Sequence, residues 1–296
     1  FKQKTAYEIR NCDWSSDVCS SDLIAVVTPH IARWFFSTAL SGVEQVLQKA
    51  DLDLLLMCIG DFSVPSQRSP VAPRLRRRVD GILVLAVQPA DPQVADILAL
   101  KMPTATVGLT LTNVPSVAID DLAAAQLATQ HLINLGHTSI GIIAGSTRKE
   151  LFDAEARRME GFNQSITEAG LTTHESWKAY GEFTMDGGES AMTQLLAQPN
   201  PPTAIFAMSD EMAFGALRSI RGHGLQPGVD VSIVGIDGHD VSEQLDLTTV
   251  VQPVVELGRL GAEVLLTHMR DPDAPIEPIR VDTQLVVRGS TGPARA

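Results

Sequence analysis

From Ile24 onward, short apolar runs alternate with stretches of helical period, and no other feature limits the fold so much. "LIAVVTP", "LDLLLMCIG", "GILVLAV", "MPTATVGL" and "PSVAID" read as strands. Between and after them lie "FFSTALSGVEQVLQKA", with Phe36, Leu40, Val43, Val46 and Leu47 at helical spacing, then "DPQVADILAL" and "DLAAAQLATQHLINLGH", which stops at Gly136. The pattern then restarts. "SIGIIAGS", "TAIFAM", "DVSIVGID" and a closing "IRVDTQLVVRGS" read as strands, set among helices at "AEARRMEGFNQSITEAGL", "ESAMTQLLAQ", "DEMAFGALRSIRGHGL" and "VVELGRLGAEVLLTHMR". Strand–helix alternation throughout predicts parallel sheets covered on both faces. The restart near residues 135–138 predicts an α/β chain of two doubly wound units. "FSVPSQRSPVAPRL" carries too much proline for a helix and is expected to be partly loop.

Ligands of open α/β sheets sit off the carboxyl ends of the strands. Two facing sheets would place those ends on either side of a cleft. The candidates are therefore Thr28 to Phe36, Asp61, Asp120 and Asp121, Ser146 to Arg158, Ser209 and Asp210, and Asp237 to Asp240.

Other chemistry finds little support. The net charge of −12 argues against a general nucleic-acid or anionic-membrane surface. No run of 18 or more apolar residues exists to span a bilayer. "AGSTRKE" lacks phosphate-loop spacing, and no G-x-S-x-G elbow or paired-acid constellation marks an enzyme. His131 and His137 have no companion at metal spacing and read as helix-surface and turn residues, so neither metal nor cofactor is expected. Cys58 lies in an apolar run and reads as a small buried hydrophobe, in keeping with a reducing cytoplasm.

Residues 1–22 differ from all this. "FKQKTAYEIRNCDWSSDVCSSD" has no apolar period and no signal-peptide core. "FKQKTAYEI" and "DWSSDVCSSDL" resemble translations of a widely used sequencing-library adapter, so the segment is expected to be foreign to the fold and without fixed structure.

From residue 24 to 292 the chain resembles the LacI/GalR transcriptional regulators. The matching stretches, in the family's order, are "VDGILVL", "VPSVAIDD", "QHLINLGHTSIGIIAG", "RRMEGFNQSITEAGL", "PPTAIFAMSDEMAFGALRSIRGHGL", "DVSIVGIDG", "LTTVVQP", "ELGRLGAEVLL" and "LVVRGST". The resemblance implies a periplasmic-binding-protein-like core of two subdomains joined by crossing strands. Expected limits are 23–135 plus 253–282 for the first and 136–252 plus 283–296 for the second. It also implies a helix-turn-helix and hinge helix ahead of Ile24, where the adapter-like segment stands. The chain as given is then expected to bind no operator specifically, DNA being a partner only of the intact parent.

The resemblance further implies a homodimer, to which the helix from Phe36 would lend apolar residues. A small effector, a sugar, sugar phosphate or nucleoside-like purine, would lie in the cleft. Its implied contacts are Phe183 in "YGEF", Arg158 in "RRMEGF", Asp237 in "VGIDG" and Gln252 in "TTVVQP". Phe35 and Phe36 follow the first strand, one expected in the cleft and one in the core, and Asp120 ends a strand. Ser209 replaces a common Asn, Arg33-Trp34 replaces a frequent Asn-Pro, and Phe152 and Ala154 stand where relatives carry polar contacts. These departures imply a bulkier, less polar rim than a free-hexose site. A secreted or periplasmic sugar-binding protein of the same fold is the alternative reading.

Overall fold

The computed structural model describes residues 21–60, 69–146 and 153–295. Strand β1 (Leu23–Thr28) leads into helix α1 (Trp34–Lys49), followed by β2 (Asp53–Cys58), the short α2 (Ala72–Leu75), β3 (Gly81–Leu85), α3 (Pro92–Leu98), β4 (Thr104–Val107) and β5 (Ser116–Ile119). Helix α4 (Asp121–Asn134) precedes β6 (Ile140–Ala144), α5 (Asp153–Glu168), β7 (Lys178–Tyr180), α6 (Met185–Leu196), β8 (Ala204–Ala207), α7 (Asp210–Gly222), β9 (Ser232–Asp237) and β10 (Thr248–Val251). Helix α8 (Val254–Arg270) and the strands β11 (Ile279–Val281) and β12 (Gln284–Val286) follow.

The strands form two six-stranded sheets, in the orders β11-β5-β4-β3-β1-β2 and β12-β10-β9-β8-β6-β7. Every pairing is parallel except β10 with β12. The central strands are apolar on both faces because helices cover both: Ile24, Ala25, Val26 and Val27 are fully buried, as are Ile82 and Leu83 beside them.

The chain passes from one sheet to the other after β5, after β10, and between β11 and β12. "IRVDTQLVVRGS" is therefore two strands in two sheets, where the sequence reads as one. The first crossing also falls earlier than the restart near 135 suggests. Helix α4 lies against α5, β9 and β10 of the second sheet, while α8 lies against α1, β3, β4 and β5 of the first.

Helix α1 buries Phe36, Ala39, Gly42, Val43, Val46 and Leu47. Its contact with α8 is backbone to backbone: a Cβ at Gly42 would stand 1.9 Å from the Val255 carbonyl oxygen, and one at Gly258 would stand 2.0 Å from that of Ala39. The apolar face of α1 is thus used inside the first unit, and it is not free to join a second copy as the sequence suggested.

Smaller expectations also change. Cys58 ends an edge strand and is exposed, its Sγ donating to the Pro29 carbonyl. His137 is buried, its ring nitrogens bonded to Thr203, Ser232 and the Gly292 carbonyl. Most of the adapter-like segment, Asp61, and 61–68 of the proline-rich stretch lie outside the described residues. Ser21 and Asp22 do not: their amides donate to the Asp80 carboxylate at 3.0 and 2.8 Å, which ties them to the loop before β3.

Candidate functional site

A cavity open to solvent lies between the carboxyl ends of the two sheets. The first unit supplies His30, Arg33, Phe35, Phe36, Ala86, Val87, Gly108 and Leu109 to its lining, and the crossing segments with α8 supply Ile119, Asp121, Gln252 and Leu257. The second unit supplies Asp153, Ala154, Arg158, Phe183, Ser209, Glu211 and Asp237.

Of the residues named from sequence, Phe35, Phe36, Ala154, Arg158, Phe183, Ser209, Asp237 and Gln252 meet here. Phe35 and Phe36 both line the cavity, their rings edge to face at 5.3 Å, and Phe36 is also part of the buried core. Asp120 does not reach it. Its carboxylate caps α4, accepting from the Leu122 and Ala123 amides at 3.1 Å, and the residue is exposed. Its neighbour Asp121 faces the cavity instead. Phe152 lies outside the described residues.

The polar wall is built around Arg158, which is 6% exposed on helix α5. Its Nε donates to Asp121 Oδ1 at 2.8 Å and its Nη1 to the Met208 carbonyl. Asp237, 8% exposed, ends β9. Gln252 Nε2 donates to its Oδ1 at 2.7 Å, and the Asp210 amide donates to its Oδ2 at 3.3 Å. Behind it, Asp210 accepts from Ser242 Oγ, Thr249 Oγ1 and the His239 amide. Asp237 has a φ of +144°, a conformation L residues rarely adopt, and Gly238 follows at +73°. Such strain persists only where the surroundings over-determine it, as this bond network does.

Burial pushes the Asp237 carboxyl up to about 8, with Asp210 adding and Arg158 opposing. Burial also raises Asp121 against the pull of Arg158. The guanidinium is disfavoured by burial, yet Asp121, Asp237 and Asp210 hold its pKa above the ordinary value. Behind α5's first turn, Glu155 is 1% exposed and pushed up to about 7, chiefly by burial. Its Oε1 accepts from the Ser146 amide at 2.7 Å, and its Oε2 has no partner among the described residues.

Much of the remaining lining is apolar: Phe35, Phe36, Val87, Leu109, Ile119, Leu257 and Phe183. Phe183 follows β7 with φ of +53° and lays its ring over Gly145, where a Cβ would stand 2.0 Å from Phe183 Cε2. A ring lying against these faces would meet carboxylate, amide and guanidinium groups at its edge. The lining carries four carboxyl groups against two guanidinium groups, so it suits a neutral ligand better than an anion. Among the described residues, no group of three or more His, Cys, Asp or Glu is placed to hold a metal ion.

Sequence reasoning missed Glu211, and it offered Asp120 with Asp121 and Ser209 with Asp210 as strand-end candidates without telling which of each pair faces the cavity. Asp120 and Asp121 share one strand end, and only the cap decides which of them turns inward. Asp210 and Glu211 open α7 and read equally well as first-turn acids that complement its dipole.

Residues 129–291 match the model of a periplasmic binding protein-like domain. The chain is 34% identical to the HTH-type transcriptional repressor CytR of Escherichia coli K12 over 277 residues, covering 92% of this chain and 80% of that one. A LacI-family transcriptional regulator of Enterococcus faecium with bound ribose superposes with a TM-score of 0.80 at 28% identity, covering 92% of this chain and 100% of that one. The complex of the transcriptional regulator CelR with cellobiose superposes with a TM-score of 0.81 at 29% identity, covering 92% and 85%.

A two-sheet body with a cleft between its sheets is the effector-binding core of a transcriptional regulator. The chain belongs to the LacI family of transcriptional regulators. A periplasmic binding protein of the same fold is not the favoured reading. No helix among the described residues is long and apolar enough to cross a membrane.

Proposed function

We propose that the cavity binds a small uncharged polyhydroxylated ring, a sugar or nucleoside, and that closure of the two units around it alters DNA binding by the intact regulator. The observation that carries this is the mixed lining: the bonded pairs Asp121–Arg158 and Asp237–Gln252 beside the rings of Phe35 and Phe183. Sugar phosphates fit less well, because carboxyl groups outnumber guanidinium groups. The contacts are assigned to Phe35, Asp121, Arg158, Phe183, Asp237 and Gln252, with Phe36, Ala154 and Ser209 shaping the cavity. The bound ribose and cellobiose of the two structural relatives support the ligand class. Kinship with DNA-binding repressors supports a cytoplasmic homodimer. At micromolar concentration, sedimentation should give twice the chain mass, and the chain mass alone would overturn the dimer.

A thermal-denaturation panel of neutral sugars, nucleosides and sugar phosphates tests the ligand assignment. At a hundredfold excess over Kd, a true effector stabilises the core by about 2.7 kcal/mol. At least one neutral member should raise the Tm. A response confined to phosphorylated members would overturn the assignment.

A further inference from the structure

Both walls of the cavity are tied to each other at a second place, away from the crossings. Crossings leave both sheets at one edge, from β5, β10, β11 and β12. Residues Arg33 and Trp34 follow β1, which is separated from that edge by β3, β4 and β5. Arg33 Nη2 donates to the Glu182 carbonyl at 3.3 Å, and Glu182 follows β7, the outermost strand of the second sheet on the side opposite the crossings. Burial raises the carboxyl of Glu211 on α7, against the pull of Arg33 and of the Trp34 backbone amide. Trp34 Nε1 donates to Asp240 Oδ2 at 3.3 Å. The indole stacks on the His239 ring at 4.9 Å and 26°. That imidazole is itself fixed, accepting the Val241 amide at Nδ1 and meeting the edge of Phe214 at 5.1 Å. The contacts of Arg33 with Glu182, and of Trp34 with Asp240 and His239, each join a residue of the first unit to one of the second.

We propose that Arg33 and Trp34 form a cross-cleft latch that holds the core closed without effector and limits which effectors enter. This rests on the reading of the cavity as an effector site only for its second half. Arg33 and Glu211 line the cavity themselves, so a ligand whose second ring projects past them has to displace the Arg33–Glu182 bridge. The latch therefore selects against ligands long enough to project past it, such as disaccharides. A closed resting state also makes latch opening a step that precedes effector entry.

Small-angle scattering of the effector-free protein tests the latch. Losing the ring stack and one hydrogen bond shifts the closed-to-open ratio about tenfold or more. Trp34→Ala and Arg33→Ala should each raise the radius of gyration above that of the wild type in the same oligomeric state. An unchanged radius in both variants overturns the latch. Fluorescence gives a second readout. With Trp14 and Trp177 replaced by Phe, Trp34 is the remaining indole, and His239→Ala should raise its quenching by acrylamide. Unchanged quenching would show that no stack protects it. For selectivity, titration with ribose and cellobiose should show Arg33→Ala gaining affinity for cellobiose relative to ribose. A ratio equal to that of the wild type overturns the size limit. If neither the wild type nor any variant binds a member of the wider sugar and nucleoside panel, the effector reading fails, while scattering still decides the latch.

Discussion

Asp237 illustrates how much one residue's surroundings decide. Its carboxyl, raised to about 8, is largely protonated at neutral pH in the empty core. Ligand hydroxyls that donate to it favour the ionised form and lower its pKa, so binding releases a proton. Affinity for a neutral ring is expected to rise as pH increases from 6 to 8. Calorimetry in buffers of different ionisation enthalpy would detect the released proton, and a pH-independent Kd would contradict this. Glu155 makes a stability prediction instead. Its folded pKa of about 7 lies above its ordinary 4.5, so the fold favours the uncharged acid. That contribution is fully present below about 4.5 and is lost as pH rises through about 7, a change of at most about 3 kcal/mol. Glu155→Gln keeps an acceptor for the Ser146 amide and cannot ionise. Urea denaturation should show the variant more stable than the wild type at pH 8 but not at pH 5. An equal pH dependence in both proteins would contradict the assignment.

At the scale of elements, the α1–α8 contact depends on two missing side chains. Alanine at Gly42 or Gly258 would set a Cβ about 2 Å from a backbone oxygen of the other helix. Overpacking of this kind costs typically 1–3 kcal/mol. Thermal denaturation should show either variant losing several degrees, whereas Gly222→Ala, with open space around it, should not. Long elements were legible in the sequence because their periods are long. The fully buried Ile140–Ala144 and Ala204–Ala207 are uninterrupted apolar runs, and the stop at Gly136, with φ of +89°, is a residue-level signal. The strands β7, β11 and β12 have three residues each and mixed burial, too short for any alternation to register. Cys58 misled for a related reason. Its apolar neighbours suggest burial, but only sheet order reveals that β2 is an edge.

For the whole molecule, two units and a cleft followed from strand–helix alternation and the rule that ligands sit at strand ends. The place where the chain changes units did not follow. The restart near 135 is a break in pattern, whereas the crossing at Asp121 is a matter of which sheet α4 covers, a long-range packing choice that local sequence does not encode. The same limit explains the exchange of Asp120 for Asp121. It also provides an internal control, because Asp120 and Asp121 are adjacent carboxyl residues on opposite sides of the cavity wall. Calorimetric titration of the neutral ring ligand found by the denaturation panel tests the cavity most directly. A charge-assisted hydrogen bond contributes roughly 1.5–3 kcal/mol, so Asp237→Asn and Asp121→Asn should each weaken binding about tenfold to a hundredfold. Asp120→Asn, which keeps the helix cap, should leave the Kd unchanged. Weakening by Asp120→Asn, or full affinity in both cavity variants, would contradict the placement of the effector between the two sheets.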